Sequence, residues 1–423
     1  MYERFKISGT PTELFVDKTG KEVDWIVGYG PPPDRFLEKV KKSLSGVDTY
    51  LDLSARYAKD PTNVEVVFKL AEKTASRYTP EMEARSKELY EKILTMDLQG
   101  RTASYYDEDY KAAIPYVEAA QFALAQTAVF GRKPDPAPMR KFIDEHPTSP
   151  MVKNGYSYMS YYYGQVATPE DAGRFFDEYT AKFPDDRSAL EGYVERIIKD
   201  KAPVDKGLRL AEKLKELAGY PRNPAYGQYL ADLYILKGDE AKAEEEYGKD
   251  FIDGYITNGY YALISYANFW ADQGKNLESA EAMADMALKL RPNDWFTYSQ
   301  VAGVYNKVNK LDRALAVFGP DFVKKFVNDQ AALSNYATFW NNAGTNLESA
   351  LGAGRRAVEL TPDYYNYFAL GQVAFKLKKY DEALAAAEKA VELAKPMAAK
   401  YPGFSTQRFE KLVKDIREAM TKK

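Results

Sequence analysis

The chain has 423 residues, 29% of them charged and 45% hydrophobic, with a net charge of −3. This balance suits a folded protein and excludes wholesale disorder. It offers no basic run for nucleic acid and no apolar stretch near the roughly 20 residues of a membrane span. With no cysteine and one histidine, disulfides, zinc–cysteine sites and thiol nucleophiles are excluded together, and histidine chemistry has little to work with.

The first predicted element is a strand at 12–17, apolar in its middle, followed by a Lys18–Lys21 turn whose glycine suits a hairpin. Val23, Trp25 and Val27 alternate with Asp24, Ile26 and Gly28 as a second strand. Pro32 and Pro33 open a helix that runs to Ser45. On it Phe36, Leu37, Val40 and Leu44 share one face at helical spacing. No signal peptide is visible ahead of these elements.

Gly9-Thr10-Pro11-Thr12, followed by strand, turn, strand and helix, resembles the last third of a thioredoxin domain over about residues 5–46. The resemblance implies a cis Thr10–Pro11 bond at Pro11, a missing upstream half that would carry the redox cysteines, and an extracytoplasmic, periplasmic setting. It also implies that strand 12–17 lacks one neighbour. A two-stranded hairpin is marginal alone and an open edge is adhesive. The edge is therefore expected to be covered by the first helices of the remaining chain or by another chain, which allows a homo-oligomer through 12–17.

From Val47 onward no further strand-rich region is expected. Pro61 to Asp97 reads as a helix pair with Phe68, Leu70, Ala71, Leu89, Tyr90 and Ile93 inside, and Leu98–Asp107 as a loop. Thr79-Pro80 and Thr168-Pro169 are cap-then-proline helix starts. Lys133 to Pro138 is a stiff connector. His146, before Pro147, reads as a solvent-facing helix-terminal residue. Tyr156, Tyr158, Tyr161, Tyr162 and Tyr163 form the densest aromatic cluster, read as interhelical packing in preference to a binding surface.

An internal duplication dominates the rest. Tyr266–Trp270 matches Tyr336–Trp340 and Asn276–Ala280 matches Asn346–Ala350, both at a shift of 70 residues, while Tyr247–Phe251 matches Phe318–Phe322 at 71. Pro147, Pro184, Pro221, Pro292 and Pro362 stand 37, 37, 71 and 70 residues apart, where second helices should stop. Each long unit divides into two helix pairs, a period of about 35 residues, near the 34 of tetratricopeptide repeats.

Small residues recur where that family places them: Ala231, Ala243 with Tyr247; Ala302, Ala314 with Phe318; Leu370, Gly371, Ala383, Ala387 and Ala390, with Pro396 after the second helix. Over about 61–396 the chain resembles tetratricopeptide-repeat proteins. The expected fold class is mostly α: an α-solenoid of such helix pairs with a small N-terminal thioredoxin-like β-hairpin plus helix. The expected organisation is a partial thioredoxin-like element at 1–46, about nine helix pairs at 47–396 and a polar capping helix at 397–423. Trp270 and Trp340 belong in the core. Gly352 and Gly354 follow no strand and read as close helix packing.

In that family the first helix of each pair lines a groove where extended peptides dock. By repeat position the matching residues are Gln228 and Asp232; Tyr261, Asn268 and Asp272; Phe296, Asn306 and Lys307; Thr338, Asn341 and Asn342; and Tyr365, Phe368, Gln372 and Lys376. Amides and aromatics outnumber cations, so the expected partner is a polar extended segment or another repeat protein in preference to an acidic tail. The function expected is a non-enzymatic scaffold for a protein or peptide partner, without cofactor or metal. Two alternatives are kept: the docking arm of a truncated thioredoxin-family oxidoreductase, and a structural protein that self-assembles.

Overall fold

The computed structural model describes residues 5, 7, 11–29, 33–96, 103–131, 133–218, 224–248, 259–400 and 404–421. The chain divides into two compact units, Met1–Asp200 and Lys201–Lys423.

The first unit opens with β1 (Thr12–Val16) and β2 (Glu22–Val27), an antiparallel hairpin in which Leu14 faces Trp25 and Thr12 faces Val27. The Asp17 carboxylate closes its turn, accepting from the Thr19 amide at 2.8 Å and the Lys21 amide at 3.0 Å. Gly20 takes the φ of +77° the turn requires. Helices α1 (Pro33–Ser45), α2 (Tyr50–Lys59), α3 (Val64–Ala75) and α4 (Pro80–Met96) follow.

These helices clasp β2. The Trp25 indole donates to Ser76 Oγ at 3.1 Å and its ring lies 4.7 Å from Tyr50. Arg77 stacks 4.8 Å over the same ring. Lys73 bridges buried Asp24 at 2.6 Å and donates to the Trp25 carbonyl at 3.1 Å. Among the described residues no strand pairs with the outer edge of β1, whose Thr12–Phe15 are half-buried. Thr10 lies outside the described residues, and with it the Thr10–Pro11 bond.

A second hairpin corrects the expectation of no further strands. β3 (Ser104–Asp107) pairs with β4 (Ala112–Pro115), so the end of the stretch read as a loop is a strand. Its cause is tertiary. Tyr105 lies 5.1 Å from Phe68 and 5.4 Å from Tyr116, opposite fully buried Ile114. Four-residue strands carry too little alternation to be read as a period.

Then come α5 (Tyr116–Val129), α6 (Ala137–Glu145), α7 (Val152–Gln165), α8 (Pro169–Lys182) and α9 (Arg187–Asp200). Thr168 caps α8 through the Asp171 amide, as the cap-then-proline pattern predicts. The tyrosines of α7 mostly serve packing. Tyr156 is buried beside Phe175 and Tyr179, and Tyr163 stacks on Phe175 at 4.1 Å, while Tyr161 remains exposed. His146 caps α6 but is only partly solvent-facing, since its Nε2 lies 2.8 Å from Gln121 Oε1 and its ring packs on Phe142.

The second unit is helix pairs in succession, the build of an α-solenoid. It comprises α10 (Val204–Ala218), α11 (Pro224–Lys237), α12 (Glu240–Tyr247), α13 (Tyr260–Gln273), α14 (Leu277–Leu290), α15 (Trp295–Lys307), α16 (Leu311–Phe318), one turn α17 (Phe322–Lys325), α18 (Gln330–Ala343), α19 (Leu347–Leu360), α20 (Tyr364–Lys376), α21 (Tyr380–Lys400) and α22 (Gln407–Thr421). Ala231, Ala243, Ala302, Ala314, Ala383, Ala387 and Ala390 are fully buried, letting neighbouring helices approach closely. At Gly371 an added Cβ would stand 3.3 Å from the Ala387 nitrogen and 3.4 Å from the Ala383 carbonyl. Gly354 likewise lies against Leu370, but Gly352 faces open space.

Prolines 292 and 362 follow α14 and α19 as expected, and Pro221 lies outside the described residues. Pro396 does not follow its helix but sits inside α21. Proline fits helical φ and there costs one backbone bond.

Candidate functional site

The site is built from the first helices of the second unit. α11 touches α13, α13 touches α15, α15 touches α18 and α18 touches α20, so the five form one wall. Each buries one stripe against its own second helix and leaves another toward solvent. On α13 the solvent stripe is Tyr261, Ser265, Asn268 and Asp272, steps of four, three and four residues. On α18 it is Ala331, Asn335, Thr338 and Asn342, the same positions one duplication later. Trp270 and Trp340, 2% and 1% exposed, lie on the opposite face as predicted.

Charge is distributed unequally between the two kinds of helix. α18 carries no charged residue, α13 carries Asp272, α15 carries Lys307, α20 carries Lys376, and α11 carries Asp232 and Lys237. The second helices hold the charge and use it to bridge neighbours. Arg355 on α19 grips Glu382 on α21 through two bonds of 2.7 Å, and Arg313 on α16 reaches Asp285 on α14 at 3.1 Å.

The charges on the wall are largely neutralised internally. Lys307 Nζ donates to Asn268 Oδ1 at 2.8 Å and pairs with Asp272 at 2.9 Å. These three predicted residues are thereby brought together, and Asn268 also donates to the Ile264 carbonyl at 3.0 Å. Lys376 donates to the main-chain carbonyl of Asn341. Asn341 is buried with its Oδ1 unpartnered, and its amide lies 3.4 Å from exposed Asn342 Oδ1.

Asp232 on α11 is half-buried without an ion pair among the described residues, and burial pushes its carboxyl up to about 6. Tyr261, Phe296 and Tyr365 expose their rings at the second position of α13, α15 and α20. Gln228, Asn306, Thr338 and Gln372 are half-buried. Phe368 turns partly away and packs on Phe409 at 4.9 Å. The mapping by repeat position missed Ser265 and Asn335, both exposed on the same stripes. Stepping by helical period from Tyr261 and Asn268 would have found them.

The wall is therefore a row of amides, hydroxyls and aromatic rings with one unbridged carboxyl. It can exchange hydrogen bonds with a polar backbone and stack on flat groups. Among the described residues no helix is long and apolar enough to cross a membrane.

Comparison with known proteins agrees with the repeat reading at its most regular point. The family profile of the tetratricopeptide repeat matches residues 365–396, the span of α20 and most of α21. No curated protein matches the chain. Among solved structures, a tetratricopeptide repeat protein from Parabacteroides merdae ATCC 43184 is 14% identical, with a TM-score of 0.38 over 71% of this chain and 98% of that one. The chain thus carries a tetratricopeptide repeat within an array of helix pairs.

Proposed function

We propose that this protein is a non-enzymatic scaffold that binds a polypeptide along the wall formed by α11, α13, α15, α18 and α20. The observation that carries the reading is the segregation of charge. First helices carry few charges and their three lysines are occupied, Lys307 and Lys376 within the wall and Lys237 by Asp205 of α10, whereas second helices bridge one another by ion pairs. A surface with few charges, of which Lys307 and Asp272 neutralise each other, is suited to an extended, weakly charged segment whose backbone meets Asn268, Thr338, Asn342 and Gln372. Tyr261, Phe296 and Tyr365 supply rigid aromatic contacts.

Around residues 12–45 the order strand, turn, strand, helix supports the thioredoxin-like reading of that stretch. Without cysteine the chain itself offers no thiol–disulfide exchange, and recognition is the function we infer for it.

The test is a displayed random-peptide library selected against the full chain. Peptides recovered should lose binding to the Asn268→Lys, Thr338→Lys, Gln372→Lys triple variant while its circular dichroism and melting stay unchanged. Raising salt about tenfold should weaken them little, since few charges take part. Peptides that bind the folded triple variant as well as the parent chain would remove the reading.

A further inference from the structure

One position of the wall recurs once in each first helix. Asp232, Asn268, Gly303, Thr338 and Gln372 stand 36, 35, 35 and 34 residues apart. Each follows a buried small residue and is itself half-buried. The repeat thus sets Asp232 at the α11 end of a row whose other members are two amides, a hydroxyl and a glycine. Gln228, one turn earlier on α11 and also half-buried, adds an amide on the same stripe.

Asp232 differs from the other charges of the wall in having no counter-ion. Asp272 holds Lys307 at 2.9 Å, Lys376 is taken by the Asn341 carbonyl, and Lys237 pairs with Asp205 of α10 at 2.8 Å. On the helices packed against α11, Lys215 of α10 is committed to Glu246 of α12 at 2.8 Å, and Lys242 of α12 lies over the Tyr234 ring at 5.4 Å. The Asp232 carboxyl is nonetheless withdrawn from water, and burial disfavours its charge. A desolvated carboxylate without a partner is unfavourable until a cation joins it, and the pair then gains charge-assisted hydrogen bonds. A ligand that brings a cation to this point supplies what the empty wall lacks. One that brings a carboxylate there is repelled.

We propose that Asp232 receives a lysine or arginine side chain of the bound polypeptide, one basic residue in an otherwise weakly charged extended segment. The proposal rests on the reading of the wall as a peptide-binding surface and adds to it a charge requirement at one end. Asn268, Thr338 and Gln372 meet the backbone, and Asp232 selects among side chains.

Peptides selected on the full chain at pH 7.5, then synthesised with acetylated N-termini so that the only ammonium or guanidinium is a side chain's, should share one Lys or Arg. Replacing that residue by Met in the peptide, or Asp232→Asn in the protein, should each weaken binding about tenfold by calorimetry, and the two together no more than either alone. Asp232→Asn keeps the size of the side chain, and circular dichroism checks that it folds. Peptides that are lost on the Asn268→Lys, Thr338→Lys, Gln372→Lys variant but carry no basic residue, or that bind Asp232→Asn as tightly as the parent chain, would overturn the proposal and leave the wall reading standing. Additive losses from the two changes would also overturn it, since the cation would then meet a different group. Peptides indifferent to the triple variant would remove the wall reading and this proposal together.

Discussion

The two copies of the duplicated unit share a framework and differ in its polar fittings. Gly274 and Gly344 take φ of +65° and +72°, and Asn276 and Asn346 take +52° and +51°, so the turn between helices is the same object twice. Tyr247 packs 5.3 Å from Phe269, and Phe318 packs 5.2 Å from Phe339. In the first copy, however, the Trp270 indole donates to the Tyr247 carbonyl at 2.9 Å, whereas Trp340 Nε1 is buried without a partner.

The wall edges differ too. Arg291 sits 4.1 Å over Tyr260 in the first copy. In the second a chain of amides takes that place, Gln330 donating to Asn366 at 2.8 Å and Asn366 to the Thr361 carbonyl at 2.9 Å. Apolar packing and turn conformation define the repeat. Hydrogen bonds and charges vary on top of it, and the wall is where they vary.

The largest effect that sharpens this contrast is at the tryptophans. Trp270→Ala and Trp340→Ala should each cost about 3–5 kcal/mol, since each empties a buried aromatic site. Trp270→Phe should cost about 1 kcal/mol more than Trp340→Phe, because only the first leaves a carbonyl without its donor. Denaturant unfolding of the four variants measures both differences; equal costs for the two phenylalanine variants would erase the distinction between the copies.

Next in size is Asp232. Its folded pKa is raised, so between the unfolded value near 4 and about 6 the native state binds more protons than the unfolded chain. The penalty of burying the charged form is fully present above pH 6 and is relieved as pH falls from 6 toward 4. Asp232→Asn should therefore stabilise the protein at pH 7.5, by at most about 3 kcal/mol, and flatten the rise in stability on acidification between those values. Thermal melts from pH 4 to 8 would show it, and an unchanged profile would mean the carboxyl is solvated.

The smallest effect separates the two lysines. Lys307→Met and Lys376→Met should each change stability by less than about 1 kcal/mol, as exposed pairs do. The Lys307 effect should fade with added salt because its partner Asp272 is charged. The Lys376 effect should persist, since its partner is a neutral carbonyl. The same salt dependence in both would contradict the assignment.

Much of this was legible in the sequence because it rests on periodic burial. The buried alanines, the interior tryptophans and the helix stops at Pro292 and Pro362 follow from spacing alone. The first-helix residues could be named for the same reason. What could not be read was set by contacts between distant segments. Ser104–Asp107 is a strand because Phe68 and Tyr116 receive Tyr105. Pro396 is tolerated because α21 runs on past it. Lys307 and Lys376 face inward partners, although repeat position alone offers them to a ligand. Trp25 and Asp24 of β2 carry contacts to helices α2 and α3 that no spacing announces.

The central claim is that the nearly uncharged first-helix wall is the recognition surface. Hydrogen exchange of the full chain with and without a selected peptide tests it most directly. Slowed exchange confined to α13, α15, α18 and α20, above all around Tyr261, Asn268, Thr338 and Gln372, is the predicted result. Slowing on the charged helices α14, α16, α19 and α21, with the first helices unaffected, would contradict it.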